Sequence, residues 1–429
     1  MRLNIEKLVY SGDGLARLPA DEHGKGKAVF VPFVLEGESA EVRVTEQKPG
    51  FARGHADQVL QASPHRVKPS CPYFQRCGGC HYQHSDYEHQ LEIKAAILKE
   101  NLRRIAKIDP PELTIHGSPP WNYRNRTRLK CRHQPDFALG YYRYNSHELL
   151  PVEECPISSP LINHAIAACW DMGRNGELTD GVQEIEFFVD TSDEHLFVEL
   201  CCSPELKRRA ARQLTEAIKA GLPGAIGVAA LKARNNRERE PDLLAAVGEN
   251  AITCQVPPES YRVSAGAFFQ VNRYLTGELV KIVTSEAGGK LVLDLYAGVG
   301  LFAKVLSREF EQVIAVESLA IAHSDLQYNC GANVRAIRAM AEQYLKNVVG
   351  KLQPDLVVVD PPRSGLSESV IHSLVTLGAP RMTYVSCDPA TLSRDVGRLL
   401  RAGYQVQQAH LVDLFPQTYH LESVFRLVR

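Results

Sequence analysis

Three cysteines fall within ten residues in CPYFQRCGGC, as Cys71, Cys77 and Cys80, a density found nowhere else in the chain. A disulfide would leave one over, zinc usually takes its thiolates in twos, and a cubane cluster needs four sulfurs of which only the last can be remote. Cys155 in EECPIS precedes a proline, as Cys71 does, so C-x5-C-x2-C plus a distant C-P completes four thiolates. Cys131 competes for the fourth place, but it lies in a run of cations where a loop-borne ligand is harder to supply, and Cys155 is expected. A second thiol chemistry is written in YVSCDPATLSRD. Cys387 ends an apolar run there, with Asp388 and Pro389 placed as N-cap and first residue of a following helix, whose N-terminus favours thiolate. Glu422, in DLFPQTYHLESVF, stands just before the last apolar run. As a solitary glutamate it reads as a solvated surface charge within reach of the same edge, with Asp388 and Asp413 the other carboxylates nearby.

LDLYAGVGLFA carries Asp294, Gly298, Gly300 and Ala303, a formal G-x-G-x-x-A turn after a strand. Glu317 ends the next apolar run, where it can accept both ribose hydroxyls of an adenosine ligand. Nicotinamide dinucleotides and S-adenosylmethionine both fit so far. DPPRSG at Asp360 to Gly365 is not what hydride transfer asks for; two prolines after an aspartate fix a rigid loop beside the cofactor cleft. In YRNRTRLKCRH, Arg124, Arg126, Arg128, Lys130 and Arg132 alternate, so in a strand five cations share one face and repel each other unless a polyanion lies across them. Tyr123, Tyr141, Tyr142 and Tyr144 offer surfaces on which unpaired bases stack.

These residues need elements to hold them. Residues 1–58 read as short alternating strands broken by turns, a small antiparallel barrel or sheet. The cysteine cluster follows, then a helix with a Ser85/Glu88 capping box and Leu91, Leu98, Leu102 and Ile105 on one face. Residues 110–255 mix strands (EIEFFVD, HLFVELCC) with a basic helix at Leu206 to Ala220. From about residue 288, LVLDL, VIAVE, DLVVVD and MTYVS alternate with helices before QVQQAHLVD and SVFRLV, the rhythm of a parallel sheet covered on both faces. The DPPRSG and YVSC runs are read as its third and fourth strands. No run approaches the roughly 18 apolar residues of a membrane span and no signal peptide is legible, so a soluble cytoplasmic chain with reduced thiols and no membrane contact is expected. With 49 Lys+Arg against 50 Asp+Glu, attraction to polyanions has to come from a local patch.

Taken together, CPYFQRCGGC, DLYAGVG, DPPRSG, VSCDPATLSRD and FPQTYHLES resemble the RNA 5-methyluridine methyltransferases, in the iron-sulfur, TRAM-containing branch that modifies 23S ribosomal RNA. The resemblance covers nearly the whole chain. It implies a Rossmann-like class I α/β methyltransferase domain (85–115 and 258–429), a TRAM-like, OB-like RNA-binding β-barrel (1–58) and a central α+β iron-sulfur domain (59–84 and 116–257). It also implies roles: Cys387 as nucleophile, Glu422 as base, and Cys71, Cys77, Cys80 and Cys155 as ligands of a 4Fe-4S cluster. Gln270, Tyr296, Gly298, Glu317 and Asp360 would contact S-adenosylmethionine, and Arg126 and Phe268 the target uridine. The chain departs from many relatives at Ala297, where they have cysteine, and at Asp388, where they have asparagine. The expected activity is methyl transfer to carbon 5 of a uridine in RNA by a monomer. Three alternatives stand beside it: the same reaction at uridine 54 of tRNA, a radical methylthiotransferase, and an RNA-binding module that has lost its chemistry.

Overall fold

The computed structural model describes residues 1–19, 26–233, 242–286 and 288–429. Among these, buried and exposed side chains alternate along Ala28–Pro32 and Ser39–Gln47, as they do in strands with one face on a core. With Arg2–Asn4, Lys7–Leu8, Asp13–Arg17 and Phe51–Gln61 they form a six-stranded sheet around Leu3, Val29, Val31 and Val42. Its pairings are antiparallel except between Ala28–Pro32 and Phe51–Gln61, which run parallel.

The central sheet has seven strands in the order Leu149–Pro151, Ala138–Tyr142, Arg126–Arg132, Val182–Val189, Leu196–Cys202, Ala225–Lys232 and Leu243–Gly248. Helices Pro160–Arg174 and Arg208–Gly221 cover one face, packing on Ile185, Phe187 and Val189. The period of two therefore sends Glu184 and Glu186 to the other face, alongside the cations of Arg126–Arg132.

Uninterrupted apolar runs make the core of the C-terminal sheet, ordered Val334–Arg338, Phe310–Glu317, Gly289–Leu295, Leu356–Val359, Arg381–Ser386, Glu422–Val428, Gln405–Val412 and Thr114–His116. The first five run parallel, and Glu422–Val428 inserts antiparallel to both of its neighbours. Val334–Arg338 is an edge strand that sequence reading passed over, because two arginines in five half-exposed residues leave no apolar run. Counted from Gly289–Leu295, the strands ending at Asp360 and Cys387 are accordingly the fourth and fifth in chain order, not third and fourth, and Thr114–His116 adds one more strand of the sheet ahead of them.

The helix Tyr87–Asn101 is capped by Asp86, whose carboxylate accepts the His89 N–H at 2.8 Å; Ser85, expected as the cap, has a buried hydroxyl without a partner. Its apolar residues do not share one face. Ile93 and Ile97 enter the barrel core, while Leu98 and Leu102 enter the core of the C-terminal sheet, and Ile105 is exposed. The helix is an axle between two bodies and is buried on both sides, which is why no simple stripe marks it. Within it, Lys94 is wholly buried, its Nζ donating to Asp413 Oδ1 at 2.6 Å and to the Phe415 carbonyl at 2.9 Å. No helix of the described residues is long and apolar enough to cross a membrane.

Removing one member of a fully buried ion pair strands the other charge, at a cost of about 3–5 kcal/mol. Lys94→Ala should therefore lower the thermal midpoint by several degrees, and Lys94→Met with Asp413→Leu should recover much of the loss. An unchanged midpoint for Lys94→Ala would show that the pair does not hold the axle.

Candidate active site

Register brings the two candidate groups together. Ser386 pairs with Ser423 across the antiparallel insertion, so the next positions outward, Cys387 and Glu422, face one another at the carboxyl edge of the sheet. Asp360 leaves the adjacent strand at the same edge, its N–H reaching the Leu295 carbonyl at 3.4 Å. Burial, then Glu422 and Asp360, pushes the Cys387 thiol up to about 12. Burial also pushes Asp360 up to about 7, and burial reinforced by Asp360 holds Glu422 well above the usual carboxylate range, with the Arg363 guanidinium pulling it back. Burial thus favours the protonated form of all three groups at this edge. Asp388 and Asp413 are otherwise engaged: Asp388 caps Pro389–Arg401 through the Ala390 and Thr391 N–H groups, and Asp413 holds Lys94 and the Tyr87 hydroxyl.

The turn after Gly289–Leu295 has Tyr296 and Gly298 in left-handed conformation, at φ 65° and 56°. No atom lies within 4 Å of where a Gly298 Cβ would stand, so the backbone there is open to a ligand. Glu317, at the end of Phe310–Glu317, accepts the Gly298 N–H at 2.9 Å and the Leu319 N–H at 2.7 Å and thereby fixes that turn. Asp294, beneath it, is fully buried, and neither carboxylate oxygen finds a hydrogen-bond partner; burial and Asp360 push its carboxyl well up. Gln270 is buried, with its carbonyl held by Asn125 Nδ2. An open glycine turn, a carboxylate one strand over and an orphaned acid below suit an adenosyl ligand with a polar tail.

Cys71, Cys77, Cys80 and Cys155 all line one cavity of about 70 Å³ with Tyr141 and Arg124. Their thiols sense one another: Cys77 is pushed up to about 11 and Cys80 higher, by burial and then, among other neighbours, by Cys155. Buried thiols ionise together only if a cation accepts them, and four sulfurs around one small cavity suit a thiolate-ligated metal cluster. The neighbouring Arg124 guanidinium, with Nε unpartnered, offers a balancing charge. Cys131 instead faces Cys169 and Cys202 in the core of the central domain.

The alternating cations differ from expectation. Arg124 precedes the strand and turns to the cysteine cavity, and three of the other four are paired: Arg126 and Arg128 both pair with Glu186, Lys130 pairs with Glu184, and Arg126 also reaches Glu199 at 3.2 Å, while among the described residues the exposed Arg132 reaches only the Asp136 carbonyl. These carboxylates lie 54 to 73 residues further on, which is why spacing alone predicted repulsion. Arg126 also donates to the Ala267 carbonyl at 2.6 Å. With the exposed Phe268 it lines a cavity of about 790 Å³ that does not include Cys387, Glu422 or Gln270. Of the four tyrosines, Tyr142 alone is exposed; Tyr123 is buried against the Pro416 carbonyl and Tyr144 reaches Asp13. Sequence reading also missed Tyr10, whose hydroxyl donates to the Cys387 carbonyl at 2.9 Å from a barrel turn with no motif to mark it.

Comparison with known proteins adds to this geometry. Residues 86–429 match the tRNA (uracil-5-)-methyltransferase family and residues 1–56 match the TRAM domain. An uncharacterized RNA methyltransferase of Aquifex aeolicus is 35% identical over 437 residues, covering 99% of this chain and 97% of the relative. One of Caldanaerobacter subterraneus is 31% identical over 98% and 96%. Among solved structures, the Pyrococcus abyssi tRNA (uracil-54, C5)-methyltransferase in complex with S-adenosyl-L-homocysteine superposes with a TM-score of 0.77 at 24% identity, over 99% of both chains. It shares the fold.

The protonated state of the site is measurable. Alkylation of Cys387 by iodoacetamide, followed on its tryptic peptide, should climb about tenfold per pH unit from neutrality upward without levelling. A plateau near about 8.5, the ordinary thiol value, would show that burial and the two carboxyls do not control this cysteine.

Proposed function

The chain belongs to the tRNA (uracil-5-)-methyltransferase family, carries a TRAM domain and is an S-adenosylmethionine-dependent RNA uracil-C5 methyltransferase; from that premise we propose that it methylates carbon 5 of a uridine in 23S ribosomal RNA, with Cys387 as nucleophile and Glu422 as base. The observation that carries the mechanism is the register that sets Cys387 across from Glu422 beside Asp360. Carbon 5 of uracil is a poor nucleophile. Sγ of Cys387 bonds to carbon 6, losing its proton to water, and the displaced electron pair makes carbon 5 nucleophilic. Gly298, Glu317, Tyr296, Gln270 and Asp360 would hold S-adenosylmethionine, which would supply the methyl group to carbon 5 and leave as neutral S-adenosylhomocysteine. Glu422 then removes the proton left on carbon 5, the 5,6 double bond reforms, and the pair in the sulfur–carbon bond returns to Cys387. Burial makes Glu422 a stronger base than a solvated carboxylate, and Arg363 keeps its ionised form within reach.

Cys71, Cys77, Cys80 and Cys155 would hold a 4Fe-4S cluster, which supplies a rigid cross-link between the loop before the axle helix and the loop at Cys155. Ribosomal RNA is preferred to tRNA here only through the family branch that the sequence motifs resemble. Phe268 offers a stacking face to the RNA and Arg126 a hydrogen-bonding edge. The target base has to leave its stack to reach Cys387, at a cost of a few kcal/mol, least for an unpaired nucleotide.

Three measurements follow. Mapping 5-methyluridine in ribosomal and transfer RNA from cells with and without the protein should show loss from 23S ribosomal RNA; loss at uridine 54 of tRNA would reassign the substrate. Cys387→Ala should abolish product and any covalent enzyme–RNA species, while Glu422→Gln should accumulate an adduct that resists denaturing gels and carries the methyl label. Normal turnover by Glu422→Gln would move the base elsewhere. Anaerobically purified protein should carry about four irons per chain, with Cys155→Ser losing far more iron than Cys131→Ser; zinc in their place would overturn the cluster.

A further inference from the structure

The turn that carries Cys387 is fixed from three sides. The Asp388 carboxylate caps the next helix, and its N–H donates to Ser386 Oγ at 3.2 Å. The Ser423 hydroxyl donates to the Ser386 carbonyl at 3.2 Å. Both of these come from the sheet itself. The third restraint, on the carbonyl of Cys387, is the Tyr10 hydroxyl at 2.9 Å, which arrives from the N-terminal barrel 377 residues away.

Tyr10 is placed firmly enough to act as a restraint. Its ring meets Tyr419 edge to face at 5.4 Å, and Tyr419 packs in turn on His81 at 4.6 Å and His420 at 4.2 Å. Two residues on, Gly12 has φ 87°, and a Cβ there would stand 2.9 Å from His81 Cβ, so the barrel turn approaches as closely as glycine allows. His81 follows the cysteine loop directly and donates its N–H to the Gln417 carbonyl at 2.8 Å, in the loop leading to Glu422. One aromatic stack thus joins the barrel, the cysteine loop and the strand bearing the carboxylate.

We propose that Tyr10 is a positioning residue for the nucleophile, so that the N-terminal barrel, besides gripping RNA, sets the direction of the Cys387 side chain. The carbonyl of Cys387 belongs to the peptide that follows its Cα. Without Tyr10 that peptide is held only through the Asp388 N–H on Ser386 Oγ, and its rotation about that one bond carries Sγ away from the line of attack on carbon 6. A misplacement of this size costs rate without costing affinity. The role rests on Cys387 being the nucleophile, and the experiment separates the two.

In the full-length protein, Tyr10→Phe removes one hydroxyl and keeps the ring stack, while Tyr10→Ala removes both. Methyl transfer to a 23S ribosomal RNA transcript gives kcat and KM, and iodoacetamide labelling of Cys387 gives thiol geometry without any RNA. Tyr10→Phe should lower kcat about fivefold, the worth of one neutral hydrogen bond, with KM for RNA unchanged, and should alter the labelling rate by a similar factor. A Phe variant equal to the parent in kcat and labelling, with the Ala variant alone impaired, would reduce Tyr10 to packing and overturn the proposal. A raised KM at unchanged kcat would make it an RNA contact and overturn it equally. If the parent methylates no RNA while labelling still shifts in Tyr10→Phe, positioning stands and the methylation reading falls.

Discussion

Two charges with no access to water, Lys94 and Asp413, hold this molecule in its working arrangement. Neither tolerates burial alone, so the axle helix and the strand end at Asp413 have one depth and one rotation in which both are satisfied. That arrangement is extended by a reciprocal amide pair: the Gln90 amide donates to Gln417 Oε1 at 3.0 Å and accepts the Gln417 N–H at 2.9 Å. Gln417 sits at φ 67°, a conformation its neighbours have to impose, and its carbonyl takes both the His81 and Tyr82 N–H groups. The cysteine loop, the axle and the loop leading to Glu422 are therefore one hydrogen-bonded unit. Position at the site is inherited from contacts well outside it.

Electrostatics at the sheet edge work against charge. Asp294, Asp360 and Glu422 crowd one region, and burial pushes each carboxyl up. A single added positive centre would relieve all three, and S-adenosylmethionine is a sulfonium. These buried acids are complementary in charge to a cation more than to one another, so binding a cation at that edge would recover what the resting fold gives up in stability.

The parts legible in the sequence were those whose chemistry is local. Acidic strand ends, the glycine turn at 298–300 and the Asp388–Pro389 helix start are written within a few residues of what they do, and the structure puts Asp360, Cys387 and Glu422 at one edge. Cross-chain partnerships were not legible. Glu184, Glu186 and Glu199 read as ordinary acids until the strands that carry them lie beside Arg126–Arg132, and Lys94 reads as one polar residue on a mixed helix until Asp413 arrives 319 residues later. The edge strand Val334–Arg338 failed for another reason, since a strand paired on one side needs little apolar content.

On the proposed RNA contact at Arg126, the ladder of arginines and glutamates on the central sheet is a surface of exchange. A phosphate or base edge that approaches Arg126 or Arg128 finds guanidinium groups already spoken for and has to outbid Glu186 and Glu199 for them. Few free counterions are there to be released, so random polyanions gain little by landing. A strand whose shape presents its acceptors at the ladder's own spacing loses less in the swap than one that does not. On that proposal the glutamates are placeholders in a chain whose charges nearly cancel, and discrimination falls to the partner whose acceptors best replace them.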